Sequence, residues 1–279
     1  MTTTLGPGNV VAGYRLQRLL GQGAHGAVHL AQDTAGATVA LKLVVLPAGS
    51  TQAREQFLHA ASVARRLQHP GIVATLAAGV EGHLGWLAME PVPGGSLARY
   101  TMPQRLLPEP LVLQLGERLA LALAHAHGLE VVHRDLKPAN VLVDWPSDTV
   151  KLADFGLARA ADAAQTATGV VPGSPAYMAP ELLAGSLPTP RSDLYALGVM
   201  LFQLLSGRLP HEGASMGELL LRVARDTAPD LRTLRPNLPA PVAELVAQLL
   251  ARSPGDRPSD SRTLAAALRS LARTWPAPG

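Results

Sequence analysis

The sequence contains no cysteine, and this absence excludes two kinds of site. None of its 279 residues is Cys, so the chain can form neither a disulfide nor a metal site built on thiolates. The absence of Cys does not identify a cellular compartment.

Long apolar runs and dense basic patches are also missing. The most apolar helix candidate, residues 194–207, has 14 residues, whereas a helix needs about 20 to span a bilayer. The first residues lack the basic and apolar regions of a signal peptide. The net charge is only +3 and the basic residues are dispersed, which argues against nucleic acid as the main partner. We therefore expect a cytoplasmic protein without a membrane segment.

Lysine is scarce in comparison with arginine. Only three of the 24 basic residues are Lys, namely Lys42, Lys137 and Lys151. Lysine carries a compact charge on a flexible stem, whereas arginine presents a planar fork. In a chain with this bias, each Lys is a candidate for a position where a compact charge is required.

The residue pattern predicts a small β-rich part followed by a larger α-rich part. About 47% of the residues are apolar and 16% are charged, which is enough for a sizeable core. Strand patterns cover residues 14–33, 38–46, 72–80 and 85–92, and helical spacing covers residues 52–68, 109–128, 193–206, 215–225, 240–252 and 261–273. We expect the boundary between the parts at residues 92–95.

A glycine loop joins the first two predicted strands. Gly21, Gly23 and Gly26 precede Val28 in a G-x-G-x-x-G-x-V pattern, and glycines at this spacing let backbone amides approach a phosphate. A dinucleotide-binding fold would continue into a helix, but here another strand follows. The pattern therefore indicates either a flap over a nucleotide or simply a flexible hairpin turn.

A polar loop lies between two apolar runs at residues 131–143. It contains His133, Arg134, Asp135, Lys137 and Asn140. One interpretation is a tight loop that holds a single Arg–Asp pair. The other is that two rigid strands position a loop that performs chemistry.

These motifs, taken in order, resemble a protein kinase. The glycine loop, V-A-L-K at Lys42 and H-R-D-L-K-P-A-N are followed by Asp154-Phe155-Gly156 and Ala179-Pro180-Glu181. The resemblance covers about residues 12–273 and is closest in style to the eukaryotic-like (Hanks-type) serine/threonine kinases of bacteria. It implies an α+β, bilobal protein-kinase fold with an N-lobe at residues 12–92, a C-lobe at 93–273 and a short tail at 274–279.

The resemblance also implies which residues act. Asp135 would orient the substrate hydroxyl, Lys137 would contact the γ-phosphate and Lys42 the α- and β-phosphates of ATP, while Asn140 and Asp154 would hold Mg²⁺ or Mn²⁺. The implied nucleotide pocket consists of Gly21, Gly23, Gly26, Val28, Ala40, Lys42, Met89, Glu90, Val92 and Leu142. The implied supporting residues are His133, Arg134, Phe155, Gly156, Glu181, Asp193 and Arg257.

One position departs from the family pattern. Kinases pair the strand Lys with a Glu on the helix of the small lobe, but the corresponding residue here is Ala60. We therefore expect Lys42 to rely on Asp154 or on the nucleotide. Ala64 and Thr75 are also smaller than usual, so the helix could be loosely docked and could depend on a homodimer or an activating partner. Local packing that compensates for the small residues is the alternative.

The sequence thus predicts a serine/threonine protein kinase that acts on protein substrates. Thr166 and Thr168 resemble the autophosphorylation sites of bacterial relatives, and Arg134 before the catalytic Asp usually accompanies such regulation. A catalytically weak or inactive pseudokinase that signals as a nucleotide-binding scaffold is the alternative, and Ala60 is its main support.

Overall fold

The computed structural model describes residues 5–23, 26–155 and 174–275. These residues divide into two compact units. Unit 1 contains the described residues up to 93 together with residues 154 and 155, and unit 2 contains residues 94–153 and 174–275. Asp154 and Phe155, which the sequence analysis assigned to the second part, therefore group with the first.

Unit 1 is built on a six-stranded antiparallel sheet. Its strands are β1 (Val10–Val11), β2 (Tyr14–Gly23), β3 (Gly26–Gln32), β4 (Thr38–Val45), β5 (Thr75–Glu81) and β6 (Leu84–Met89), in the order β1-β2-β3-β4-β6-β5. β2 and β3 pair until Gly23 lies opposite Gly26. The predicted hairpin at the glycine loop is therefore confirmed.

The two faces of this sheet have different roles. Val39, Leu41 and Leu43 of β4 belong to a buried apolar cluster on one face. Because side chains alternate along a strand, Ala40 and Lys42 lie on the opposite face. The sheet thus fixes the position of Lys42 by strand pairing on both sides of β4.

A single helix, α1 (Thr51–Arg66), packs against the sheet within unit 1. The hydroxyl of Ser50 caps the helix by accepting a hydrogen bond from the backbone N–H of Ala53, at 3.1 Å. Phe57 is fully buried and its ring fills the space above Gly85, where a Cβ atom would lie only 2.8 Å from the ring. The absence of a side chain at Gly85 therefore allows α1 to approach β6.

Unit 2 combines a small sheet with helices. The antiparallel strands are β7 (Gly95–Ser96), β8 (Val141–Asp144) and β9 (Thr149–Leu152). The helices are α2 (Glu109–Gly128), α3 (Pro180–Leu183), α4 (Pro190–Ser206), α5 (Met216–Arg225), α6 (Leu231–Leu234), α7 (Ala240–Leu249) and α8 (Ser261–Arg273). Short 3₁₀ turns connect several of these elements.

Helix α4 forms the centre of unit 2. It begins at Pro190, three residues before the predicted start, because Thr189 and Ser192 form a capping box and Pro190 suits the first helical position. Almost every side chain from residue 192 to 206 is buried. Within the described ranges, no helix is long and apolar enough to cross a membrane.

His211 follows α4 in a buried position. Only 7% of the residue is exposed. Burial lowers the pKa of its imidazole, the Asp226 carboxylate raises it and the Arg222 guanidinium lowers it. Because the pKa is lower in the folded than in the unfolded chain, the folded state binds fewer protons. The free energy of unfolding is therefore highest above the pKa of His in the unfolded chain, about 6.5. It falls as the pH decreases through the lower pKa that His211 has in the folded state.

Replacing His211 by Phe should remove this pH dependence. We expect His211→Phe to lose less free energy of unfolding than the wild type between pH 7.5 and pH 5.5. At pH 7.5 the variant should be about 1 kcal/mol more stable, since an apolar ring has no buried nitrogen to desolvate. Urea unfolding at both pH values measures the difference. The exposed His83 provides the control, because His83→Gln should leave the pH dependence unchanged; equal losses in wild type and His211→Phe would contradict the prediction.

Candidate active site

The predicted phosphate-binding lysine makes a buried ion pair in unit 1. Lys42 is 3% exposed, and its Nζ lies 2.7 Å from Oδ1 of Asp154, which is 26% exposed. A buried ammonium group is costly unless a carboxylate compensates its charge, and Asp154 fills this role here. The backbone of Asp154 has a φ of 66°, in the left-handed region. The geometry thus agrees with the expectation that Asp154 compensates the charge of Lys42.

The face of α1 around Ala60 carries no carboxylate. Ala60 is 8% exposed, and Glu55, the acidic residue of this helix, is exposed. Gln56, one turn before Ala60, has a buried Oε1 that accepts no hydrogen bond. Ala64, Thr75 and Phe155, with six further residues, line a small cavity in unit 1. The structure thus brings together the small residues that the sequence analysis singled out.

The glycine loop requires glycine at one position in particular. Gly26 has a φ of 112°, and a Cβ atom there would lie 2.0 Å from the backbone oxygen of Leu43. No other residue can be accommodated without moving β4. Val28 follows on β3 and lies opposite Lys42 in the strand register. The turn thus holds the loop directly against the strand that carries Lys42.

The end of β6 is fixed by hydrogen bonds to the segment before β5. Met89 is buried at 7% exposure and lies opposite Ala40. The backbone N–H of Glu90 donates to the oxygen of Ala74 at 3.0 Å, and the Glu90 carboxylate accepts from the Ala74 N–H at 2.8 Å. The predicted nucleotide residues Met89 and Glu90 are therefore held rigidly, and Val92 follows them at an intermediate exposure.

The polar loop of unit 2 brings three predicted catalytic residues together. Nζ of Lys137 lies 2.7 Å from Oδ2 of Asp135 and donates to the hydroxyl of Ser174 at 2.9 Å. Nδ2 of Asn140 donates to the backbone oxygen of Asp135 at 2.7 Å and to its Oδ2 at 3.1 Å. Leu142, from the predicted nucleotide pocket, follows on β8. The Asp135 carboxylate is therefore oriented by an ammonium group and an amide.

The backbone of this loop is held by a buried carboxylate on α4. Asp193 is 2% exposed and accepts from the N–H of His133 at 2.8 Å and from the N–H of Arg134 at 3.0 Å. Nε2 of His133 lies 3.0 Å from the backbone oxygen of Ala153. Arg134 has a φ of 74°, a conformation that an L-residue rarely adopts without support. Asp193 provides this support.

Glu181 and Arg257, two of the supporting residues that the family resemblance implies, form a bidentate ion pair in unit 2. Both contacts measure 2.7 Å, and Arg257 is 2% exposed. The other guanidinium bonds go to backbone oxygens, including that of Ala251. The guanidinium also lies 4.9 Å from the ring centroid of Tyr195, whose pKa burial raises to about 12. This network joins α3, α4 and the segment before α8.

Sequence reasoning missed two neighbours of the site. His127, at the end of α2, places Nε2 2.8 Å from Oδ2 of Asp193; the only signal is its position six residues before His133. The hydroxyl of Tyr177 donates to Oε1 of Gln203 at 2.5 Å, and burial raises its pKa to about 12. Three predicted residues, Gly156, Thr166 and Thr168, lie outside the described part of the chain.

Comparisons with known proteins agree with this arrangement. The model of the protein kinase domain matches residues 14–270. Serine/threonine-protein kinase PrkC of Bacillus subtilis is 34% identical over 88% of this chain and 38% of that protein. The DNA damage-responsive serine/threonine-protein kinase RqkA of Deinococcus radiodurans is 38% identical over 94% of this chain and 40% of that protein.

One further relative and a solved structure complete the comparison. Serine/threonine-protein kinase PknK of Mycobacterium tuberculosis is 36% identical over 94% of this chain and 24% of that protein, so the chain spans less than half the length of these relatives. The crystal structure of Rad53 1-466 in complex with AMP-PNP aligns with a TM-score of 0.75 at 24% identity, over 91% of this chain and 64% of that one. The predicted α+β protein-kinase fold is therefore confirmed. The chain belongs to the protein kinase domain family and, within it, to the Hanks-type serine/threonine kinases of bacteria.

Proposed function

We propose that this chain transfers the γ-phosphoryl group of ATP to serine and threonine hydroxyls of protein substrates. The observation that carries the proposal is the arrangement of Asp135, Lys137 and Asn140 on one loop, with Lys137 and Asn140 both in contact with the Asp135 carboxylate. Phosphoryl transfer requires positioning and charge stabilisation more than covalent chemistry from the protein. This loop supplies both.

The residues of unit 2 act on the substrate hydroxyl and the transferred group. Asp135 orients the hydroxyl and accepts its proton as the oxygen attacks phosphorus. Lys137 provides a compact positive charge for the γ-phosphate oxygens. The contact between the Lys137 ammonium and Ser174 fixes the direction in which this flexible side chain extends. This role would explain why one of the three lysines of the chain lies at residue 137.

The remaining assigned residues bind the nucleotide and its metal ion. Lys42 contacts the α- and β-phosphates, and the glycine loop offers its backbone amides to phosphate oxygens. Asp154 and Asn140 would hold Mg²⁺, or Mn²⁺ in its place, since carboxylate and amide oxygens are the donors that hard cations prefer. When bound, the metal ion neutralises negative charge on the phosphates. The adenine base is assigned to Val28, Ala40, Met89, Val92 and Leu142 on the basis of the family pattern.

An inactive nucleotide-binding scaffold is the second candidate, supported by Ala60. It is not favoured, because Asp135, Asn140 and Asp154 are all present and the relatives are named as serine/threonine kinases. A homodimer or an activating partner that orders α1 remains part of the proposal. A cytoplasmic location also remains part of it, since ATP is abundant there.

Replacing Asp135 by Asn should abolish phosphoryl transfer while nucleotide binding persists. Loss of a general base lowers rates by about 10² to 10⁴-fold, and Asn has the same shape without the negative charge. Incorporation of labelled phosphate from ATP and Mg²⁺ measures the rate, and a thermal shift with ATP measures binding. Asp148→Asn is the matched control, because the Asp148 side chain is 87% exposed and its carboxylate pairs with Arg118. Equal activity of Asp135→Asn and wild type would refute the assignment.

Introducing a carboxylate at residue 60 should raise activity. In Ala60→Glu, the new carboxylate would share the Lys42 ammonium with Asp154. A charge-assisted hydrogen bond contributes about 1.5 kcal/mol, which corresponds to about tenfold in kcat/KM. Ala60→Gln provides a control of the same shape without charge and should give little gain. Unchanged kinetics in Ala60→Glu at an unchanged melting temperature would show that Lys42 needs no carboxylate from α1.

Thr166 and Thr168 are proposed as autophosphorylation sites. A phosphate adds nearly two negative charges, which an Arg side chain can bind in a bidentate manner. We expect the wild type to carry label on these residues and the double variant Thr166→Ala/Thr168→Ala to lose most of it, as measured by mass spectrometry. The exposed Thr227 gives the control Thr227→Ala. Label that stays at the wild-type level in the double variant would place the sites elsewhere.

A further inference from the structure

A chain of buried hydrogen bonds connects the start of α8 with the catalytic loop. The hydroxyl of Ser261 lies 3.0 Å from Nδ1 of His127, and Nε2 of the same ring lies 2.8 Å from Oδ2 of Asp193. That carboxylate holds the N–H groups of His133 and Arg134. Ser261 and Asp193 are each 2% exposed and the His127 side chain is 9% exposed, so water has little access to these contacts.

For a neutral His127 ring, the chemistry of the three side chains gives the direction of each bond. An ionised carboxylate can only accept, so Nε2 of His127 donates to Asp193. A neutral imidazole that donates from one nitrogen accepts at the other. The hydroxyl of Ser261 is the donor placed at Nδ1. Ser261 therefore selects the imidazole form that presents a proton to Asp193, in the same way that outer-shell groups orient metal-ligating histidines.

The elements that carry this chain are rigid. Asp260 caps α8 by accepting from the N–H of Thr263 at 2.8 Å, and this hydrogen bond lowers the pKa of the Asp260 carboxyl. Nε of Arg269 lies 2.6 Å from Oε1 of Glu117, which ties α8 to α2. Since His127 lies in the last turn of α2, the distance between Ser261 and the imidazole is set by packed helices.

We propose that Ser261 is a positioning residue for the catalytic loop, acting through His127 and Asp193. This inference rests on the proposed kinase function. Ser261 is buried and acts through the imidazole that it orients. The imidazole in turn orients the carboxylate that holds Arg134 in its left-handed conformation. A small displacement of reacting groups is costly in rate, so the loss of this distant hydroxyl should be measurable in catalysis.

Steady-state kinetics of three variants test the proposal. Ser261→Ala should lower kcat about three- to tenfold, as expected for the loss of one buried hydrogen bond, and should leave KM for ATP within about twofold of the wild type. Ser261→Thr keeps the hydroxyl and should recover most of the rate. Ser270→Ala is the matched control, since Ser270 is an exposed serine on the same helix and should behave as wild type.

A double variant distinguishes the proposed relay, in which Ser261 acts through His127 and Asp193, from a general loss of packing. In the His127→Gln background the imidazole is gone, so adding Ser261→Ala should cause no further loss of kcat. Additive losses would show that Ser261 acts independently of His127 and would overturn the proposal. The proposal would also fail if Ser261→Thr were as slow as Ser261→Ala.

Two readouts do not depend on catalysis. Nitrogen-15 NMR of the His127 ring should show Nδ1 as an unprotonated acceptor in the wild type and a shifted Nδ1 signal in Ser261→Ala. Hydrogen exchange at the amides of His133 and Arg134 should be faster in Ser261→Ala than in Ser270→Ala. A wild type without kinase activity would refute the proposed function, while these two readouts would still decide on the relay. Unchanged ring signals and unchanged exchange would overturn it.

Discussion

The hydrogen bonds of one buried carboxylate determine the geometry of the polar loop of unit 2, which carries the proposed catalytic residues. Asp193 is almost completely removed from water, and an uncompensated charge in such a position would be strongly unfavourable. It is compensated by the backbone N–H groups of His133 and Arg134 and by the imidazole of His127. These bonds hold Arg134 at a φ of 74°. The resulting turn places the Asp135 carboxylate in contact with the Lys137 ammonium group. Because Asp193 lies in the first turn of α4, the capping of that helix at Thr189 also fixes the loop.

Features that depend on neighbouring residues could be predicted from the sequence. Helices α2 and α8 have the predicted bounds, because helical spacing and caps are local signals. The hairpin at the glycine loop follows from three glycines, of which Gly26 is required by its left-handed φ and by the close approach of Leu43. Asp135, Lys137 and Asn140 lie within six residues of one another, so the contacts among them are also local. Other elements differ from their predicted bounds by up to three residues: α4 starts three residues earlier, because its cap lies before the apolar run, and α7 ends at Leu249 rather than at residue 252.

Contacts between distant elements could not be predicted. His127 and Ser261 are 134 residues apart, and neither periodicity nor composition states which faces of α2 and α8 meet. The hydrogen bonds between Glu90 and Ala74 likewise depend on how β5 and β6 are joined. The ion pair between Lys42 and Asp154 was one of two expectations, but no spacing rule indicates that Asp154 groups with unit 1. The resemblance to a family indicated the pair of Glu181 and Arg257, but it did not indicate the contact between His127 and Ser261.

The absence of a carboxylate at Ala60 changes how the charge of Lys42 is balanced. The Lys42 side chain is 3% exposed, and its Nζ lies 2.7 Å from Oδ1 of Asp154, which under the proposed function also binds Mg²⁺. One carboxylate then serves two cations, and each cation weakens the attraction of the other for it. The phosphates of ATP relieve this competition, because they bring negative charge to both. With a Glu at residue 60, the charge of Lys42 would stay compensated when the metal binds. With Ala60, the negative charge of the nucleotide must compensate Lys42 instead. The binding of metal and the binding of ATP should therefore be strongly coupled.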